Sequence, residues 1–131
     1  FVTKGKDGIH FDEVREWTFD DGEILGSYCT QQHWASLAGR LYLLYCRPSG
    51  DNDHIFRHRA PIFIAEVDPE RLQVIRATER AAIPENHAAM GNFGICQISE
   101  CECWVTCGDG MRTGPRKGGV NRVVLAKIVA G

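Results

Sequence analysis

Three polar clusters in the sequence have the residue types for binding chemistry. Gln31, Gln32 and His33 form the first, with Tyr28 just before them. Asp53, His54, Arg57, His58 and Arg59 form the second, and Asn92 stands between Gly91 and Phe93 as the third. Arginine suits a carboxylate or sulfate because its planar fork donates to two oxygens at once. Glutamine, asparagine and histidine suit sugar hydroxyls, being donors and acceptors together. Each cluster also has a plain reading. Arg57 and Arg59 share one face of an extended segment, which a solvated loop with surface ion pairs would equally produce. His33 beside Trp34 fits a satisfied core histidine. Gln31 and Gln32 fit side chains that hydrogen-bond the backbone, and Asn92 fits a turn former. Trp17, Trp34 and Trp104 fit core positions as well as sugar-stacking platforms.

Other chemistries lack their motifs. No phosphate-binding loop, dinucleotide fingerprint, H-E-x-x-H helix or nucleophile elbow is present. His54 and His58 are four residues apart, but an extended backbone does not align them for a metal as a helix does. No metal and no cofactor are implied. Cys96, Cys101, Cys103 and Cys107 follow a C-x4-C-x-C-x3-C spacing that does not match the paired C-x2-C of structural zinc sites. With Cys29 and Cys46 they make six, an even number that permits disulfides without demanding them. Free, packing thiols are the expectation.

The elements that position these groups read as strands. The chain has 131 residues, of which 44% are apolar and 24% charged, with a net charge of −2. That composition supports a buried core and carries no basic footprint for nucleic acid. No apolar run is long enough to span a bilayer as a helix, so no membrane partner is expected. The spacing predicts strands over 40–46, 60–67, 73–78, 93–98, 103–107 and 122–129, and a weaker one over 30–35. A single helical turn is expected at 68–72, where Asp68 can cap and Pro69 can follow. A Gly-rich exposed loop is expected from 108 to 119. Short strands recurring about every 10–14 residues mean a sandwich, barrel or propeller. A weak repeat of about 60 residues aligns 32–37, 40–45 and 61–67 with 94–99, 102–106 and 122–129.

Several segments resemble the bacterial sialidase-like family with Asp-box (BNR) repeats. Gly5-Lys6-Asp7-Gly8-Ile9-His10-Phe11 looks like a degenerate Asp box. Gly26 to Trp34, Asp53 to Pro61 and Gly91 to Gly94 carry the rest. The resemblance implies an all-β fold: a partial β-propeller of about two four-stranded antiparallel blades and an extra strand or so. The chain reads as one unit, 1–131, with blade boundaries near 26–84 and 91–131, forming the C-terminal portion of a six-bladed propeller. The implied function is glycoside-hydrolase-type: acting on or binding an acidic carbohydrate at the inner-strand ends. Sialidases use a tyrosine nucleophile with an acid partner. The resemblance therefore implies Tyr28 and Asp53 as catalytic candidates, with Asp51 and Glu66 as nearby carboxylates. Gln31, Gln32, His33, His54, Arg57, His58, Arg59 and Asn92 are the implied substrate contacts. The alternative is a non-catalytic binding or assembly module, because a partial propeller has open faces that invite a second copy to complete it.

Overall fold

A computed structural model describes residues 1–49, 53, 59–85, 90–110 and 121–130. The protein is all-β, built from two antiparallel sheets. The first contains β1 (His33–Leu37), β2 (Arg40–Tyr45), β3 (Ile62–Asp68), β4 (Gln73–Val74) and β5 (Arg80–Ile83). Its path runs β1-β2-β3, and β4 and β5 then pair with different stretches of β3. The second contains β6 (Phe93–Ser99), β7 (Glu102–Asp109) and β8 (Arg122–Val129) in sequence order. Neither sheet closes on itself among the described residues.

The strands form where β-branched and aromatic residues cluster, and they stop at turn formers. Ala38 and Gly39, both at positive φ, make the tight turn from β1 to β2. Glu100 and Cys101 make the turn from β6 to β7. The two turns touch, with the Ala38 N–H donating to the Glu100 carbonyl at 2.7 Å. At the expected helical turn, Leu72 N–H closes back on the Asp68 carbonyl at 2.8 Å. The Asp68 carboxylate accepts the Glu70 and Arg71 amides there.

Three expectations need correction. The strand expected over 73–78 stops after Val74, and Arg76–Thr78 forms a 3-10 turn instead. The Thr78 hydroxyl donates to the Ile75 carbonyl and accepts from the Glu66 amide, which favours the turn locally. β5 then returns to the sheet from a stretch, Arg80-Ala81-Ala82-Ile83, with little strand propensity of its own. Gly108 and Asp109 belong to β7 rather than a loop, paired with Val123 and Arg122. Residues 111–120, the rest of that expected loop, lie outside the described residues. The second sheet has three strands among the described residues, where four were expected.

Period-two alternation distributes the core. Ala35, Leu37, Leu44, Ile62, Ile64 and Ile83 leave the first sheet on one side. They meet Phe93, Cys103, Val105 and Cys107 of the second. On its other side Leu43, Tyr45, Ala65, Val67 and Val74 are covered by Val2, Trp17, Phe19 and Leu25. The first sheet is therefore a middle layer. The two sheets also repeat one plan: β1 and β6 begin sixty positions apart (33 and 93), as do β3 and β8 (62 and 122).

The N-terminal layer is held by bridges from Val2 to Arg15, Gly5 to Phe11 and Thr18 to Ile24, and by Phe19 against Val74. Between Gly5 and Phe11, the Asp7 carboxylate accepts the amides of Ile9 at 3.0 Å and His10 at 2.7 Å. Gly5 lets the Phe11 ring pack close, since an added Cβ would sit 2.8 Å from that ring and require it to shift.

A polar lock closes the middle layer. Arg47 donates two bonds to Glu79, at 3.0 and 2.7 Å, and the buried Tyr45 hydroxyl donates to the same carboxylate. The Arg47 guanidinium lies over the Phe63 and Phe19 rings. Burial pushes the Glu79 carboxyl up, but the Arg47 and Tyr45 hydrogen bonds and the Arg47 charge outweigh it and hold it below its ordinary value. A folded pKa that is depressed contributes stability above the unfolded value of about 4.3, lost as pH falls through the folded one. Glu79→Gln should cost about 2–3 kcal/mol at pH 7. That gap to wild type should shrink as pH drops below about 4. Urea unfolding of both proteins at pH 7 and pH 3 measures it; a gap that does not change with pH refutes the assignment. Leu44→Ala, at the interface of the two sheets, should cost about 3 kcal/mol, with a lower urea midpoint and an unchanged slope.

Candidate functional site

The antiparallel meanders bring distant segments to one end of the molecule. His33 at the start of β1 stands opposite Leu44 near the end of β2. Phe93 at the start of β6 stands opposite Cys107 near the end of β7. The segments that precede β1, β3 and β6 therefore share that end.

Gln31 and His33 leave the chain on the same side, as alternation requires. Both donate to one acceptor, the Phe93 carbonyl, Gln31 Nε2 at 3.0 Å and His33 Nε2 at 3.1 Å. The His33 ring also meets the Phe93 ring edge-on at 5.0 Å. These two side chains tie the first strand of one sheet to the first strand of the other. With Nε2 holding the proton, Nδ1 is the acceptor of the neutral ring. Gln32 points the other way, into a separate groove of about 540 Å³ lined by Phe1, Glu16, Trp17, Cys29 and Thr30 as well.

Arg59 and Asn92 meet beside this junction. Arg59 Nη1 donates to Asn92 Oδ1 at 3.2 Å. The Arg59 amide donates to the Met90 carbonyl at 3.1 Å, and the Arg59 carbonyl accepts from the Cys46 thiol. The approach is close because residue 91 is glycine. A Cβ at Gly91 would lie 3.0 Å from Arg59 Cδ and 3.1 Å from its Cβ. Gly91 has φ +138° and Asn92 φ +48°, so two successive residues hold left-side backbone conformations. That turn aims Asn92 at the guanidinium. Cationic fork and amide together make a donor-rich surface suited to a carboxylate or sulfate.

Tyr28 and Asp53 also meet, with the Tyr28 hydroxyl donating to Asp53 Oδ1. The same oxygen accepts the Ser49 amide at 2.9 Å. Burial first, then the Asp53 hydrogen bond and charge, push the Tyr28 phenol far above its ordinary value. Its proton therefore stays on oxygen at neutral pH. A carboxylate placed to take that proton is the arrangement that activates a hydroxyl nucleophile during attack.

The structure thus brings Gln31, His33, Arg59 and Asn92 together, pairs Tyr28 with Asp53, and sends Gln32 elsewhere. His54, Arg57 and His58 lie outside the described residues, as does Asp51. Glu66 lies in β3 and pairs with Arg40 at 3.2 Å. All six cysteines are free thiols. Burial pushes the Cys46 thiol up to about 12 and raises those of Cys103 and Cys107, which keeps them unreactive. Trp17 is core, Trp34 is half exposed beside it with ring centroids 5.6 Å apart, and Trp104 sits beneath Lys127.

Sequence reasoning missed two contributors. Gly91 forms the turn that admits Arg59, and the Gly-Asn pair is the signal that marks it. Gln97 fastens the edge of β1: its Oε1 accepts the Ser36 amide at 3.3 Å and its Nε2 donates to the Ser36 carbonyl at 2.8 Å. No local pattern reveals that contact, which joins residues 61 apart.

Gly91→Ala should therefore displace Arg59 and destabilise the fold by about 1–3 kcal/mol. Thermal unfolding reads the loss; an unchanged midpoint would show that the turn tolerates a side chain.

No family model, no curated protein and no solved structure matches this chain.

Proposed function

We propose that this chain is part of a sialidase-like β-propeller that binds an acidic carbohydrate through Arg59 and Asn92. The observation that carries the reading is the Arg59–Asn92 pair, set by a left-handed turn where the first strands of the two sheets begin. Propeller blades are antiparallel meanders stacked face to face, and the ends of their inner strands are where ligands gather. Support for that architecture comes from the shared strand order of the two sheets, their sixty-residue offset and the Asp7 turn between Gly5 and Phe11.

In this reading the carboxylate or sulfate of the glycan takes the Arg59 fork, and Asn92 orients it. Tyr28 and Asp53 are the reacting pair of a hydrolase. The Tyr28 oxygen bonds to the anomeric carbon as the glycosidic C–O bond breaks. Asp53 takes the phenol proton and gives it to the departing oxygen. Water then displaces Tyr28, which regains its proton. Gln31 and His33 act as positioning residues by holding β1 to β6.

The test is calorimetric binding of sialylated and sulfated oligosaccharides against their neutral counterparts. The anionic glycan should bind more tightly, and Arg59→Ala should weaken it about 10–100-fold, the worth of one charge-assisted contact. Anionic-glycan binding that survives Arg59→Ala intact would exclude this mode.

A further inference from the structure

β8 is an edge strand of the second sheet. Among the described residues it pairs along one edge only, with β7. Its sequence, Arg122-Val-Val-Leu-Ala-Lys-Ile-Val129, is apolar on both faces. Val124, Ala126 and Ile128 pack inward against the core between the sheets. Val123, Leu125 and Val129 point outward and are 73%, 45% and 66% exposed. An open edge of that kind is a template for another strand, and proteins normally guard it with a charge standing at the edge. The single charge in the middle of β8 is Lys127, and its ammonium is drawn back over the Trp104 ring of β7 at 4.7 Å. Among the described residues the edge is left unguarded.

We infer that β8 pairs antiparallel with β8 of a second copy of this chain, about a two-fold axis at Ala126. The strand is self-complementary in that register. On the inner face Val124 stands opposite Ile128 of the second copy, and Ala126 opposite Ala126. On the outer face Val123 stands opposite Val129 and Leu125 opposite Lys127. Every position meets an apolar partner or the stem of a lysine, and no like charges oppose. The neighbouring registers that keep the inner faces on one side are poorer. Centring on Lys127 sets the two lysines against each other, and centring on Leu125 sets Val129 against Asn121. Val123 and Val129 are the most exposed large apolar side chains of the second sheet, and a strand added at this edge would flank and partly cover them. The pairing makes one six-stranded sheet from two three-stranded ones, an isologous contact that closes at a dimer. It does not depend on the carbohydrate reading, because Arg59 and Asn92 lie outside β8.

Sedimentation equilibrium of the full chain and two variants tests the inference. Wild type should sediment with twice the mass of one chain. Leu125→Lys sets a lysine opposite Lys127 twice in each dimer and should weaken association about tenfold or more. Leu125→Glu sets a carboxylate opposite the same lysine and should keep the dimer. Both substitutions are on the solvent side of the strand, and circular dichroism checks that each variant is folded. A monomeric wild type overturns the inference. So does equal loss of association in both variants, which would mean packing of sheet faces rather than pairing of edges.

Discussion

The first sheet is buried on both faces, and the remainder of the structure is arranged around that fact. Strand alternation sends Leu44, Ile62 and Ile64 to one side and Leu43, Tyr45 and Val67 to the other. A sheet that is apolar on both sides needs two covers. The second sheet supplies one, and the N-terminal layer around Trp17 and Phe19 supplies the other. Stacking the sheets in turn places β1 beside β6 and β5 beside β8. The candidate site exists because of that alignment.

Polar groups then finish what apolar packing begins. The edge of β1 faces β6 without continuous backbone pairing. Side chains of Gln31, His33 and Gln97 take over, donating to and accepting from backbone groups across the gap. Gln31 and His33 share the part-buried Phe93 carbonyl, and Gln97 takes both backbone groups of the exposed Ser36. The Arg47–Glu79–Tyr45 lock serves the opposite face in the same manner, where an unpaired buried charge would be costly. The residues best suited to ligand chemistry by type are thus divided. Gln31 and His33 join the sheets, whereas Arg59 and Asn92 are held toward the surface by a turn.

Among the described residues the second sheet differs from the first in having an uncovered side. Its inner face is filled by Cys103, Val105 and Cys107, but its outer face and the β8 edge keep Val123 and Val129 in solvent. The hydrophobic effect that makes the first sheet a middle layer is therefore only partly satisfied on the second, whose outer side shows exposed apolar side chains among the described residues.

Much of this was legible from residue order alone. The alternation and turn residues of 40–45, 93–99 and 122–129 determine strands, because a half-buried pleated surface needs that pattern and little else. The sixty-residue repeat was visible for the same reason. Arg80 to Ile83 was not, because two alanines carry no strand preference and only pairing with β3 makes them one. Gln73 to Thr78 read as a strand, yet the Thr78 side chain turned its second half into a 3-10 turn. At the site, residue types pointed to Arg59, Asn92, Gln31 and His33. Their division into a surface pair and a joining pair was decided by tertiary structure. Sequence specifies which groups can donate and accept, but the partner each one reaches depends on contacts about sixty residues apart, made only when the two sheets stack.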